Sequence, residues 1–278
     1  MRDVLQRWPY PGVRDRGSRP HARGSPRNHG TRLDLTRRVR VDVHPKSILL
    51  FTVALVLSFP GFAAGQGVLL DEGTFDLSIR GRPAGTEDFL IRRSGVGRNA
   101  QTIATAEVSI SGPEGRLEMR PALQVLGEAL AVSAYQTKVS GARQEEVFVT
   151  AGNGSLLLRI RSRRGEQERE LRATAGMLVL DADVAHQHYF LSLRLQADNR
   201  PLVAVVPREG RLVQVTLVES EPETIQIGGQ SVDSERLRLS IDQDRRDLWV
   251  DSEGKVLRVS DSASGYSAVR TALPSTGP

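Results

Sequence analysis

The chain has 278 residues, with 38 Lys/Arg, 33 Asp/Glu and no cysteine. The lack of cysteine excludes disulfides, thiolate metal sites and a cysteine nucleophile, and a chain of this size can build a sufficient core without such staples. The basic excess is confined to one end: residues 1–46 carry 12 Lys/Arg and 4 Asp/Glu, residues 47–65 are uncharged, and residues 66–278 have a net charge of −3, which removes the electrostatic case for a nucleic-acid partner of the folded part.

Residues 1–46 are rich in Arg, Pro, Gly and His and show no apolar period. Such a segment cannot bury enough surface to offset its ordering entropy, so a disordered basic leader is expected. Next comes the apolar run Ser47–Phe59, preceded by Arg37, Arg38, Arg40 and Lys46, broken by Pro60-Gly61 and followed by the small residues Ala63-Ala64-Gly65. A basic flank, a short apolar core and a small-residue exit describe a secretory signal peptide over 47–65, cleaved after Ala64 or Gly65. The run is short of the ~20 apolar residues a membrane span needs, so no stable span is expected after cleavage. Retention of the segment as an anchor is the competing reading. A signal peptide normally opens a chain, and bacterial start codons can also encode valine. Val39, Val41 and Val43 are therefore candidate true starts, with residues 1–38 then untranslated.

From residue 66 onward the two-residue period of half-buried strands recurs. Phe75, Leu77 and Ile79 share one face, as do Phe89 and Ile91, and Ala104, Ala106, Val108 and Ile110. Leu117 and Met119 begin a strand that Pro121 is expected to end. Further strands are predicted over 130–140, 145–151, 155–162 and 166–173, separated by Gly141, Gly152-Asn-Gly154 and Arg164-Gly165.

The period changes once. In Asp181–Leu195, Val184, His188, Leu191 and Leu195 fall on one helical face, which Ala185, Tyr189 and Leu193 widen. Asp181 or Asp183 is expected to cap this helix, and Asp198-Asn-Arg-Pro201 to end it. A meander follows over 223–260, with Gly228-Gly229 and Glu253-Gly254 at hairpin turns and Leu237, Leu239 and Ile241 alternating with polar residues. The fold class expected is mainly β: one domain of residues 66–278, a large curved antiparallel sheet or incomplete barrel with one helix packed across it.

The stretches Leu-Asp-Ala-Asp-Val-Ala-His-Gln-His-Tyr-Phe-Leu (180–191) and Leu-Trp-Val-Asp-Ser-Glu-Gly-Lys-Val-Leu-Arg-Val (248–259) resemble a group of uncharacterised secreted bacterial β proteins. That group is similar in shape to the LolA/LolB lipoprotein carriers. The resemblance implies a concave apolar cavity under the helix that could hold an acyl chain, and it carries no catalytic set.

The residues themselves offer few chemical constellations. His186 and His188 lie beside Asp181 and Asp183, but side chains at i and i+2 of a helix diverge by about 200°, so the pair cannot chelate one ion, and no metal or other cofactor is expected. Asp242, Asp244, Asp247 and Asp251 cluster in sequence near Trp249, yet they sit at turns beside Arg245 and Arg246, where solvated or paired acids are ordinary. No Gly-x-Ser-x-Gly elbow occurs. Aromatic residues make up 5% of the chain, too few for stacking platforms. A non-enzymatic, periplasmic or extracellular binding or carrier protein with an apolar cavity for lipid or another apolar ligand is the expected function. His188, Tyr189, Leu191 and Trp249 are the candidate ligand-contacting residues, Trp249 being either a core anchor or a cavity wall. The alternative is a structural partner in a cell-envelope assembly that uses exposed strand edges.

Overall fold

The computed structural model describes residues 67–112, 115–197 and 200–275. The expected basic leader, the expected signal segment 47–65 and its expected cleavage site lie outside them. The first half is an unbroken antiparallel meander of eight strands: β1 (Val68–Ile79), β2 (Arg82–Ser94), β3 (Gln101–Gly112), β4 (Gly115–Leu126), β5 (Ala131–Gly141), β6 (Glu145–Gly152), β7 (Ser155–Ser162) and β8 (Gly165–Arg172). The chain then forms β9 (Leu178–Val179), a loop, helix α1 (His188–Ala197) and β10 (Leu202–Val206). A second meander follows, of β11 (Arg211–Ile227), β12 (Gln230–Ile241), β13 (Asp244–Val250), β14 (Val256–Asp261) and β15 (Tyr266–Arg270). β15 pairs with β1, which joins the two meanders into one sheet of order β8-β7-β6-β5-β4-β3-β2-β1-β15-β14-β13-β12-β11-β10-β9.

Chain connectivity forces this sheet to roll. β8 and β9 are its two outermost strands, and only residues 173–177 join them. Laid flat, fifteen strands at about 4.8 Å spacing would put those edges roughly 65 Å apart, whereas five linking residues reach about 20 Å. The edges therefore meet. β9 lies against β5 and the 207–209 turn against β6, and Arg169 of β8 donates to the Gly210 carbonyl at 3.1 Å. Among the described residues no strand pairing closes the ring, so the sheet is an incomplete barrel.

The alternation read from the sequence sets the inner face: Phe75, Leu77, Phe89, Ile91, Ala104, Val108, Ile110, Leu237, Leu239 and Leu248 are all buried in one core. Pro121 does not end its strand. β4 runs through it to Leu126, and pairing with β3 is interrupted opposite it while pairing with β5 continues at Thr137. The missing N–H is thus taken on one ladder only.

α1 is the crossover between β9 and β10, the one parallel pair among the described strands. It starts at His188, a full turn and more after the expected cap. Asp181 instead accepts from the amide of its neighbour Ala182 (3.0 Å), and Asp183 has φ +58°, which no helix tolerates. The turn before the helix is instead held from across the sheet, where Glu87 of β2 accepts from the amides of Ala185 and His186, both at 2.7 Å, and the first helical amides, of His188, Tyr189 and Phe190, donate to the Ala185, His186 and Gln187 carbonyls. The expected single apolar face is also too narrow. Residues 188–192 are buried in succession, with Leu195 beyond them. Arg194, on the side expected to face solvent, is half-buried and donates to the Ala129 carbonyl at 3.3 Å. The helix is sunk in the barrel rather than laid on it.

Glu87 is fully buried, so its loss strands three donors, the two amides and the His186 imidazole. At about 1–3 kcal/mol per unsatisfied buried group, Glu87→Ala should cost at least about 3 kcal/mol in urea unfolding, while the neighbouring exposed Asp88→Ala should stay within about half a kcal/mol. A Glu87→Ala midpoint equal to that of Asp88→Ala would remove the anchoring role.

Candidate functional site

The loop 180–187 carries polar side chains into the core, and each meets a partner on the surrounding strands. His186 donates from Nδ1 to Glu87 Oε1 at 2.7 Å, with both side chains fully buried, and its ring stacks on Phe89 with centroids 6.0 Å apart. Asp181 is the hub of a second cluster. It accepts from Tyr135 Oη (2.6 Å), Arg208 Nε (3.1 Å) and the Arg208 amide (3.2 Å), while Gln187 Oε1 accepts from the Asp181 amide (2.7 Å). Arg208 also donates to the Ala182 carbonyl. Burial, reinforced by the Asp181 charge, drives the Tyr135 phenol well above its ordinary range.

His188 forms a third cluster. A carbonyl can only accept and a guanidinium can only donate, so the partners fix the tautomer: Nδ1–H donates to Ala185 O (3.0 Å) and Nε2 accepts from Arg246 Nη1 (3.2 Å). Arg246 in turn donates to Asp261 Oδ2 at 2.6 Å. Burial, then the Arg246 charge, lowers the His188 pKa to about 3. Its imidazole is therefore neutral at physiological pH.

Asp181 of the second cluster and His188, Arg246 and Asp261 of the third line a cavity of about 210 Å³ beside the start of α1. Loop 180–184 and His188 make one side. The other sides are the β10–β11, β12–β13 and β14–β15 turns, which bring Glu209, Arg211, Arg246, Asp261 and Ala263. Val184, Val213 and Ile241 give it an apolar part. Tyr266 of β15 stands at the back, 5% exposed, and its hydroxyl has no hydrogen-bond partner. Burial, then the charges of Glu87 and Asp183, raises its pKa well above the ordinary tyrosine value. His186 Nε2 and Gln187 Nε2 are likewise buried without partners. Burial raises the pKa of Asp183, whose side chain is one-third exposed at the mouth.

The candidate ligand-contacting residues do not converge. His188 lines the cavity, whereas Tyr189 and Leu191 are buried along α1 and do not. Phe75, Leu77, Tyr135 and the helix's own Phe190 belong to one packed core. Trp249 points away from the main core. It packs with Ile225, Ile227 and Leu257 in a second, separate cluster, between the guanidiniums of Arg258 (4.6 Å) and Arg236 (5.2 Å). The acids near it disperse too: Asp247 pairs with Arg236 and Arg245, Asp242 with Arg211, and Asp251 accepts from the Glu253 and Lys255 amides. No group of three potential metal ligands occurs among the described residues. The residues that build the site from afar, Glu87, Tyr135, Arg208, Arg246 and Tyr266, carry no local signature. The one signal available was Glu87, an acid on the same strand face as Phe89 and Ile91.

His188 gives this cluster a pH dependence. Its folded pKa of about 3 lies below the unfolded value of about 6.5, so below pH 6.5 the unfolded chain takes up the proton and the folded one does not. Stability is complete above that pH and falls with acidification by about 1.4 kcal/mol per unit. Between pH 7 and pH 5, wild type should lose about 2 kcal/mol more than His188→Gln in urea unfolding. Equal losses would show a protonated or solvent-exposed imidazole.

A family model described as a domain of unknown function (DUF6134) matches residues 75–273, from within β1 to just beyond β15. No curated protein and no solved structure matches the chain. The matched span takes in the loop 180–187, the helix and all three turns that frame the cavity. The chain belongs to the DUF6134 family.

Proposed function

We propose that this protein is an exported, non-enzymatic binding protein that holds one small ligand in the cavity beside α1. Export rests on the basic flank, apolar core and small-residue exit of residues 37–65. The observation that carries the binding reading is the partnerless Tyr266 hydroxyl at the back of a cavity of about 210 Å³. A buried polar group without a partner costs free energy that a bound ligand or water can recover.

Binding is favoured over catalysis because Asp181, His188 and Asp261, the innermost ionisable groups of the wall, are already engaged. Asp181 accepts four hydrogen bonds, and both nitrogens of His188 are occupied. Asp261 is bound by Arg246 and by the Ala263 and Ser264 amides. None of them is free to move a proton for a substrate.

The ligand favoured is small and polar with an apolar edge. Ligand pockets are commonly about 300–1,000 Å³, so this cavity suits a headgroup-sized molecule, and an acyl chain as in the LolA/LolB carriers would have to displace the side chains packed in the core. Strand addition at β8, the route for an assembly partner, is disfavoured by the charges of Glu166, Glu168, Arg169 and Glu170 along that edge.

Ala263 is exposed at the cavity mouth, so Ala263→Trp should block entry without disturbing the core. Native mass spectrometry of protein taken from its own envelope should show one small adduct in wild type and none in Ala263→Trp. An adduct retained by the variant, a long-chain lipid in its place, or bare protein in both would each overturn this reading.

A further inference from the structure

The cavity beside α1 is acidic, and on the binding reading above this narrows its occupant. Its wall carries the carboxylates of Asp181, Asp183, Glu209, Asp244 and Asp261 against the guanidiniums of Arg211, Arg245 and Arg246, five against three, a balance of −2. None of the three cations is left over for a ligand. Arg211 is held between Glu209 and Asp242, each at 2.5 Å. Arg245 pairs with Asp247 at 3.0 Å and Arg246 with Asp261 at 2.6 Å. The Arg246 Nε–H is buried without an acceptor, but the charge of that guanidinium is already balanced.

Two of the carboxylates differ from the rest. Asp183 stands at the mouth with Arg208 Nη2 3.8 Å away, beyond hydrogen-bond reach, because Arg208 donates instead to Asp181 and to the Ala182 carbonyl. Asp244 is exposed where the β12–β13 turn enters its second strand, and it has no ion pair among the described residues. Burial holds the Asp183 pKa up, and a cation placed against it would favour the ionised form. An independent observation lies at the back of the same cavity. There the Tyr266 side chain is 5% exposed and its hydroxyl has no partner. A phenol can both donate and accept, so either polar atom of a ligand hydroxyl would satisfy it. Val184, Val213 and Ile241 supply apolar wall. Tyr266 is the only Phe, Tyr or Trp on that wall among the described residues, so the cage of several rings that suits a quaternary ammonium is lacking.

We infer that the cavity takes a small amino alcohol, its primary ammonium drawn to Asp183 and Asp244 at the mouth and its hydroxyl end bonded to Tyr266 at the back. The two ends do different work. The ammonium supplies the positive charge that the wall lacks, and its N–H groups make charge-assisted bonds to a carboxylate that has none. The hydroxyl gives the buried phenol the partner it is missing. The short alkyl link between them lies against the apolar wall.

The experiment is calorimetric titration, at neutral pH and low salt, of protein purified from its own envelope and dialysed against high salt. The probes are four straight-chain compounds of equal carbon count: aminobutanol, butanediol, hydroxybutyrate and butylamine. Aminobutanol should bind at least about ten-fold more tightly than butanediol or hydroxybutyrate, the effect of one hydrogen bond to a charged group, and added salt should weaken it. Asp183→Asn should remove that advantage; asparagine tolerates the φ of +58° at this position, so the loop is kept. Tyr266→Phe deletes an unsatisfied hydroxyl, so its urea midpoint should not fall, and it should bind aminobutanol no better than butylamine. No binding of aminobutanol, equal binding of butanediol or hydroxybutyrate, Asp183→Asn matching wild type, or Tyr266→Phe still preferring aminobutanol to butylamine would overturn the inference. Ala263→Trp separates this failure from that of the cavity reading. If it blocks probes that otherwise bind alike, the cavity stands and the amino alcohol falls; if it blocks none of those that bind, the cavity reading fails as well.

Discussion

The structure depends on one buried carboxylate. Glu87 projects from β2 into the barrel and accepts two backbone amides and an imidazole N–H from the loop before α1. A loop inside a β-barrel is ordinarily forbidden, because its amides have no ladder to join. Glu87 supplies the acceptor that ladder would have given. Once Ala185 and His186 are pinned, His188 is placed against Arg246, and Asp181 comes within reach of Tyr135 and Arg208. The cavity wall is then complete. A carboxyl group in an apolar interior is tolerated only with such saturation of its oxygens.

The same loop explains why the barrel is left unclosed. The chain crosses from β8 to β9 in five residues, and β9 then lies over β5 instead of pairing with β8. Arg169 of β8 bridges the seam to Gly210 O, and Tyr135 of β5 bridges it to Asp181. The seam is thus held by side chains, and the helix that returns the chain to β10 is drawn inside with the loop. Asp71 and Arg270 make a comparable buried pair at 2.6 Å between β1 and β15, where the two meanders join.

Much of the sheet was legible because its signal is local. A strand with one wet face shows its period within a few residues, and the glycine turns at 152–154, 165 and 228–229 fixed the joints. The helix was legible in kind but not in extent. Asp181 and Asp183 look like caps, but the chain turns at 182–183 and again at 186–187 before the helix begins at His188, and the carboxylate that holds the second turn lies 98 positions away from Ala185. Pro121 misled in the same way, since a strand can absorb a proline on one of its two ladders. The site was the least legible part. His188 was found because it breaks an apolar face, but the groups that give it meaning arrive from β2, β5, β13 and β15. Trp249 was conspicuous as a residue type, yet strand parity turns it to the opposite face from Leu248 and Val250, into a separate cluster sandwiched by arginines.

The central claim is that the loop before α1 is as firmly built into the fold as the sheet around it. Hydrogen exchange at the amides of Ala185 and His186 tests this directly. If Glu87 holds them, both should exchange only on global unfolding, with the same protection free energy as amides in the middle of β2. Exchange as fast as that of an exposed turn, such as Asn153 and Gly154 between β6 and β7, would contradict it.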